Sequence, residues 1–183
     1  YNGQPQGPSL SGIPENLDDA IAYTYTGIGE THYSSSQPPT DTGSYRATAT
    51  LNSGGYRGVA TIKYTIVKKS VHLELTVENA TYDGSPHGAT VSAQDVEPED
   101  YEVTYRSTNG TEYGPTGKAP TDAGNYTAEV KLVNPNMTGS QTTTYTISPA
   151  EQRIEGKTNY AATYGNAGIV FENTAKTPVS YEV

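Results

Sequence analysis

The chain has 183 residues, of which only 33% are apolar, and a net charge of −9. Its one basic pair, Lys68-Lys69, offers no clustered cationic surface, which excludes nucleic acid and anionic-membrane partners, and no apolar run approaches a bilayer span, which excludes membrane insertion. With no cysteine, disulfides, thiolate-bound zinc and thiol catalysis are excluded as well.

Sixteen Tyr stand against one Phe, one Met and no Trp, and 19 Gly with 12 Pro interrupt runs rich in Thr, Val, Ile and Tyr. Such runs suit half-buried strands, and Tyr fills a thin core when its hydroxyl finds a partner. The nearest approach to a helix is Pro14 to Ala22, a turn or two at most. The class read from this is all-β. No charged-then-apolar leader opens the sequence, so it is read as a mature interior piece.

Three separated blocks recur at one offset. Tyr1-Asn2-Gly3 returns 81 residues on as Tyr82-Asp83-Gly84, Pro39-Thr40-Asp41-Thr42-Gly43-Ser44-Tyr45 as Pro120-Thr121-Asp122-Ala123-Gly124-Asn125-Tyr126, and Tyr64-Thr65-Ile66 as Tyr145-Thr146-Ile147. A single offset across distant blocks marks tandem units. The expected domains are a first repeat at 1–68 that lacks its first strand, a complete second repeat at 69–149, and the start of a third at 150–183, where Ala162-Thr163-Tyr164 echoes Ala80-Thr81-Tyr82.

Alternation of period two predicts the strands of the complete repeat. Val71, Leu73, Leu75 and Val77 face one way, and a turn at Tyr82-Asp83-Gly84 leads to a short strand at Ala89 to Ala93. Tyr101, Val103 and Tyr105 alternate with polar neighbours. Asn109-Gly110 predicts a tight turn into a strand at Thr111 to Gly114. Tyr126, Ala128, Val130 and Leu132 form the next strand, Asn134-Pro135-Asn136 breaks it, and Thr142 to Ile147 closes the unit. Six or so short strands without a crossover helix predict a sandwich rather than βαβ units.

The motif Thr-Asp-x-Gly-x-Tyr-x-Ala stands in both copies. Asp41 and Asp122 are expected to accept backbone amides two residues on, and Gly43 and Gly124 to take positive φ. Tyr45 and Tyr126 would then enter a strand with the hydroxyl bonded back to the bend, as in a tyrosine corner; Ala47 and Ala128 hold the place of the second immunoglobulin cysteine. The openings Asn2-Gly3 and Asp83-Gly84 are expected to be left-handed turns.

These blocks together resemble the MBG or YDG repeats, mostly bacterial immunoglobulin-like modules, over nearly the whole chain. The resemblance implies tandem immunoglobulin-like β-sandwich repeats of about 80 residues without disulfides, part of an extracellular, wall-attached or cell-surface protein. It implies a structural stalk or adhesin-like role and no catalytic residues.

Other chemistry is sparse. Asp18 and Asp19, and Glu97, Glu99 and Asp100, occupy matching loops and are the one weak Ca²⁺ candidate; without a ligand-spaced Asp-x-Asp-x-Asp pattern they read as solvated acidic loops, and no other cofactor is implied. His32, His72 and His87 read as scattered surface residues, and no Gly-x-Ser-x-Gly elbow occurs. A Lys–Asn isopeptide bond would need a buried lysine, whereas Lys131 faces outward and Lys63 has Thr144 as its counterpart. Asn79, Asn109, Asn125 and Asn136 begin N-x-Ser/Thr sequons. Tyr23, Tyr25, Tyr33, Tyr56 and Tyr113 read as core filling, with a sugar-stacking surface as the alternative.

Three roles follow for test. The first is a non-catalytic stalk whose partners are neighbouring repeats. The second is a module that binds surface glycans or host proteins. The third is a filament subunit, in which the segment from Arg153 to Val183 adds a strand to the open first repeat of another copy.

Overall fold

The computed structural model describes residues 1–13, 15–108 and 112–151. In the first repeat a 3-10 helix at Glu15–Ala20 leads into β1 (Ile21–Gly27), followed by β2 (Ser34–Ser35), β3 (Gly43–Ser53) and β4 (Tyr56–Ile66). The second repeat carries β5 (Lys69–Ser70), β6 (Glu74–Thr76), β7 (Ala80–Thr81), β8 (Thr90–Ser92), a 3-10 turn at Pro98–Asp100, β9 (Tyr101–Ser107), β10 (Gly124–Leu132), β11 (Met137–Thr138) and β12 (Ser140–Ser148). The predicted Asn109-Gly110 turn and nearly all of 150–183 lie outside the described residues. The strand expected from Thr111 begins there too; residues 112–114 are irregular, tied to β9 where Ser107 N–H donates to the Tyr113 carbonyl at 2.9 Å.

Each repeat is built on a four-stranded sheet, ordered β2-β1-β3-β4 in the first and β7-β12-β10-β9 in the second. The central strands are antiparallel and in the same register, with Tyr45 opposite Tyr64 and Ala47 opposite Tyr25, as Tyr126 is opposite Tyr145 and Ala128 opposite Tyr105. Period-two alternation therefore places the same side chains on the core face twice. Two short pairings run parallel, β12 with β7 and β11 with β5.

The second layer is complete only in repeat 2. There β6 pairs with β8 and lays Leu73 and Leu75 over Tyr105, Tyr126, Ala128, Val130, Tyr145 and Ile147, all buried. The strand expected over Val71–Val77 is shortened to β6, with β5 just ahead of it, yet its inward set keeps the predicted side: Leu73 and Leu75 are buried while His72, Glu74 and Thr76 are exposed. In repeat 1 the described residues hold no counterpart of β6; the segment Gly7–Leu10 lies along the sheet, and Leu17 of the 3-10 helix is buried against β3. Ile62 on β4, opposite Ala47 on that face, stays 52% exposed as a result, while Val59, opposite Thr50, belongs to the outer face. The two layers make a disulfide-free β-sandwich, present in tandem.

Repeat 1 turns from β3 to β4 through Gly54-Gly55, both with positive φ (59° and 82°), so its hairpin runs unbroken. Two left-handed residues form the primed turn that a twisted hairpin favours. At the same place repeat 2 carries Pro135-Asn136, and proline removes a ladder donor. The strand ends at Leu132, the chain bulges out, and β11 is freed to pair with β5 instead of continuing the hairpin.

Candidate functional site

The recurring blocks converge on one corner in each repeat. Tyr45 Oη donates to the Asp41 carbonyl at 2.8 Å and Tyr126 Oη to the Asp122 carbonyl at 2.9 Å. Both rings are almost fully buried, at 2% and 1% exposure. Pro39 and Pro120, buried beside them, accept Gln6 N–H and His87 N–H through their carbonyls at 2.8 and 2.9 Å. Those two residues in turn accept the hydroxyls of Tyr64 and Tyr145 on their own carbonyls, at 2.9 and 2.8 Å. Opening turn, corner and closing strand are thus tied to one another twice over.

The tyrosines also pack on each other. Tyr45 sits 5.7 Å edge-on to Tyr33 and 5.7 Å from Tyr64, and Tyr126 repeats this with Tyr113 at 5.7 Å and Tyr145 at 5.8 Å. Edge-to-face and tilted rings at this spacing gain beyond simple burial. Burial and then the neighbouring phenols push the Tyr64 hydroxyl up to about 12. Tyr145 is raised further, by burial first and by Tyr105, Tyr113 and Tyr126 after it. Tyr25 is buried and Tyr23, Tyr33 and Tyr113 are half-buried; of the five tyrosines considered for a stacking surface, Tyr56 alone is mostly exposed, at 57%.

Two details of the expected corner differ. Gly43 and Gly124 do not have positive φ. Glycine is required there by close approach: a Cβ at Gly124 would meet the Tyr126 ring at 3.1 Å, and one at Gly43 would meet Thr31 Cγ2 at 2.8 Å and the Tyr45 hydroxyl at 3.0 Å. Nor is the Asp41 carboxylate used on its own turn, because Thr31 Oγ1 takes the nearby Ser44 N–H at 3.1 Å. Asx side chains close the opening turns instead, where Gln4 N–H donates to Asn2 Oδ1 at 3.0 Å and Ser85 N–H to Asp83 Oδ1 at 2.7 Å. Gly3 and Gly84 follow at φ 74° and 82°. The Ser85 amide, and next the His87 charge, hold the Asp83 carboxyl below its ordinary range.

His87 departs from the surface reading. It is half-buried, with Nε2 3.2 Å from Asp83 Oδ1, whereas His32 and His72 are exposed. The acidic loops separate. Asp18 and Asp19 lie exposed on the 3-10 helix, and Glu97 and Glu99 are exposed. Asp100 is structural: Oδ2 accepts Glu97 N–H at 3.1 Å and Oδ1 accepts Asn134 Nδ2–H at 2.7 Å. The Asn134 amide, followed by that backbone N–H, holds its carboxyl below the usual range. Among the described residues no three His, Cys, Asp or Glu come together to hold a metal ion.

Asp100 anchors the loop that reaches the other repeat. With Asn134 fixed on Asp100, Asn134 Oδ1 accepts Asn136 N–H at 2.9 Å, and the Asn136 carbonyl accepts Lys69 N–H at 3.0 Å. The Asn136 side chain then points at the corner of repeat 1. Its Oδ1 accepts Thr42 N–H at 2.8 Å and the Thr42 hydroxyl at 3.0 Å, and its Nδ2 donates to Asp41 Oδ1 at 2.9 Å. The Lys69–Asp95 ion pair at 3.0 Å lies on the same stretch of repeat 2. Sequence reasoning took Asn136 for a sequon and a strand breaker and missed this contact. The legible signal was the departure from the repeat, Gly54-Gly55 in one copy against Pro135-Asn136 in the other.

Of the other sequon residues described, Asn79 Oδ1 accepts Thr146 N–H at 2.8 Å and Asn125 Oδ1 accepts the Thr146 hydroxyl at 2.7 Å. Asn109 lies outside the described residues. Lys63 and Lys131 are both exposed. In repeat 1 a groove of about 200 Å³ opens between Leu10, Tyr23, Ala47, Ala49 and Ile62, on the sheet face that Leu73 and Leu75 cover in repeat 2.

Stacked β-layers and a tyrosine-closed corner recurring in both units define a tandem β-sandwich repeat module. The MBG domain family model matches the chain twice, over residues 1–70 and 72–151, and the chain belongs to that family. The MBG domain is a non-enzymatic, β-rich repeat type found typically in surface proteins. Neither the curated proteins nor the solved structures yielded a match. No helix among the described residues is long and apolar enough to cross a membrane.

Proposed function

We propose that these are non-catalytic structural repeats of a bacterial extracellular surface protein, spacing an adhesive or other functional part away from the cell. The observation that carries this reading is the junction. Only Val67 and Lys68 separate β4 from β5, and Asn136 ties the loop of one repeat to the corner of the other. A short linker with side-chain cross-bonds suits a load-transmitting spacer better than independently moving binding domains. The buried tyrosine clusters agree with it, since rings bonded to backbone carbonyls are not offered to a ligand.

The competing binding-module reading is tested by a screen of the whole chain against glycan arrays and immobilised host matrix proteins. The spacer reading expects silence across both. Saturable binding that Tyr56→Ala abolishes would replace it.

A second reading, strand exchange between copies, is favoured by the open groove of repeat 1. Its floor of Ala47, Ala49 and Ile62 is suited to a strand with alternating aliphatic residues such as Leu73 and Leu75. Light scattering over a wide concentration range tests it. Growing mass that Ile62→Lys suppresses would support exchange, and a constant monomer would remove it.

A further inference from the structure

We infer that Asn136 is a polar latch that fixes how one repeat sits on the next, so that the corner closing each sandwich also serves as a docking surface for the Asn-Pro-Asn loop of its neighbour. This rests on the spacer reading and supplies its missing part, a residue that makes the junction stiff. Three bonds meet on one side-chain amide: two into its oxygen from Thr42, and one from its nitrogen to the Asp41 carboxylate. The last is charge-assisted, and such bonds are shorter and stronger than neutral ones.

Both halves of the latch are held rigid before they meet. On the repeat 2 side, Asp100 fixes Asn134, Asn134 fixes the Asn136 backbone, and Lys69 N–H binds its carbonyl. On the repeat 1 side, Asp41 is the residue whose carbonyl takes the buried Tyr45 hydroxyl. A displacement of the junction is thereby felt at the core of the sandwich. With both backbones already placed, closing has to order only the Asn136, Asp41 and Thr42 side chains, which limits the entropy lost.

The latch is directional. Repeat 1 carries Gly55 where repeat 2 carries Asn136, so its hairpin tip has no amide to offer in the same way. The corner of repeat 2 keeps the bend, with Asp122 exposed, but Ala123 replaces Thr42 and removes one of the three bonds. A repeat docked there would be held by two bonds in place of three. Attaching a glycan to Asn136 would replace one of its two Nδ2 hydrogens and set a bulky group in the junction, so occupancy of that sequon is expected to open the latch.

The test uses the complete chain, which has no native cysteine to interfere with labelling. Spin labels at Lys63→Cys and Thr142→Cys, exposed positions on β4 and β12, report the distance between repeats. The parent should give one narrow distribution. Asn136→Ala should lose that single peak. Asn136→Asp should lose it at neutral pH, where two carboxylates face each other. The reversed pair, Asp41→Asn with Asn136→Asp, should restore the narrow peak at neutral pH. Amide dispersion in each variant checks that both repeats stay folded, since the bonds made by the Asn136 backbone are unchanged.

The latch is overturned if Asn136→Ala and Asn136→Asp both stay as narrow as the parent, or if the reversed pair stays as broad as Asn136→Asp. Either result leaves the spacer reading standing, with a junction whose stiffness comes from the two-residue linker and not from the Asn136 amide. Glycan or host-protein binding would remove the spacer reading and leave the latch untouched.

Discussion

At the scale of single residues, the Tyr45 and Tyr126 hydroxyls decide whether the corner closes. Replacing Tyr126 with Phe keeps the ring and its contacts but leaves the Asp122 carbonyl without its donor. The expected loss is about 1–3 kcal/mol of stability, read as a lower urea midpoint at unchanged slope. Gly124→Ala is expected to cost roughly 1–3 kcal/mol by overpacking, because the Tyr126 ring it meets at 3.1 Å is locked by its own hydrogen bond. Which tyrosine bends back was legible from Thr-Asp-x-Gly-x-Tyr-x-Ala. Why glycine stands there was not, since a clash depends on how near a side chain folds back, and spacing alone carries no such distance.

At the scale of elements, the strands follow from alternation, and the sheets from what that alternation buries. β10 is legible because Tyr126, Ala128, Val130 and Leu132 all face the core, at 7% exposure or less. The short parallel pairings of β5 and β7 were not, because two-residue strands have too few positions to express a period. The β6 layer is expected to dominate the stability of repeat 2: Leu75→Ala should cost about 2–5 kcal/mol in chemical denaturation, as a buried leucine truncation does. The tyrosine clusters give a second element-scale expectation. Burial pushes the folded Tyr64 phenol up to about 12, above the ordinary phenol value of about 10, with Tyr145 raised further. A raised phenol stabilises the fold in full below the unfolded value and loses that contribution as pH climbs to the folded one. The phenol contribution to stability should therefore be flat below about pH 10 and fall steeply from there toward pH 12, with tyrosinate absorbance and loss of β-sheet circular dichroism rising together. Independent curves, with phenols ionising well before the sheet is lost, would mean the rings are not packed as described.

At the scale of the whole molecule, the two repeats are one design executed unequally. Both have the four-stranded sheet and the corner, while only repeat 2 has the described β6–β8 cover over it. Amide exchange should accordingly be slower through β10 than through β3, even though the two strands share register and corner. The tandem arrangement was readable from a single offset of 81 residues held by three blocks. The contact between repeats was not, because it rests on Asn136, a residue at which the copies differ, and self-similarity reveals what recurs. Residual dipolar couplings measured along β3 and β10 test the account as a whole, since they report the orientation of each sandwich independently. One alignment tensor should fit both sets, with the repeats in the relative orientation set by the Asn136 bonds; two tensors of clearly different magnitude would mean that the sandwiches tumble separately and that the chain is not a stiff spacer.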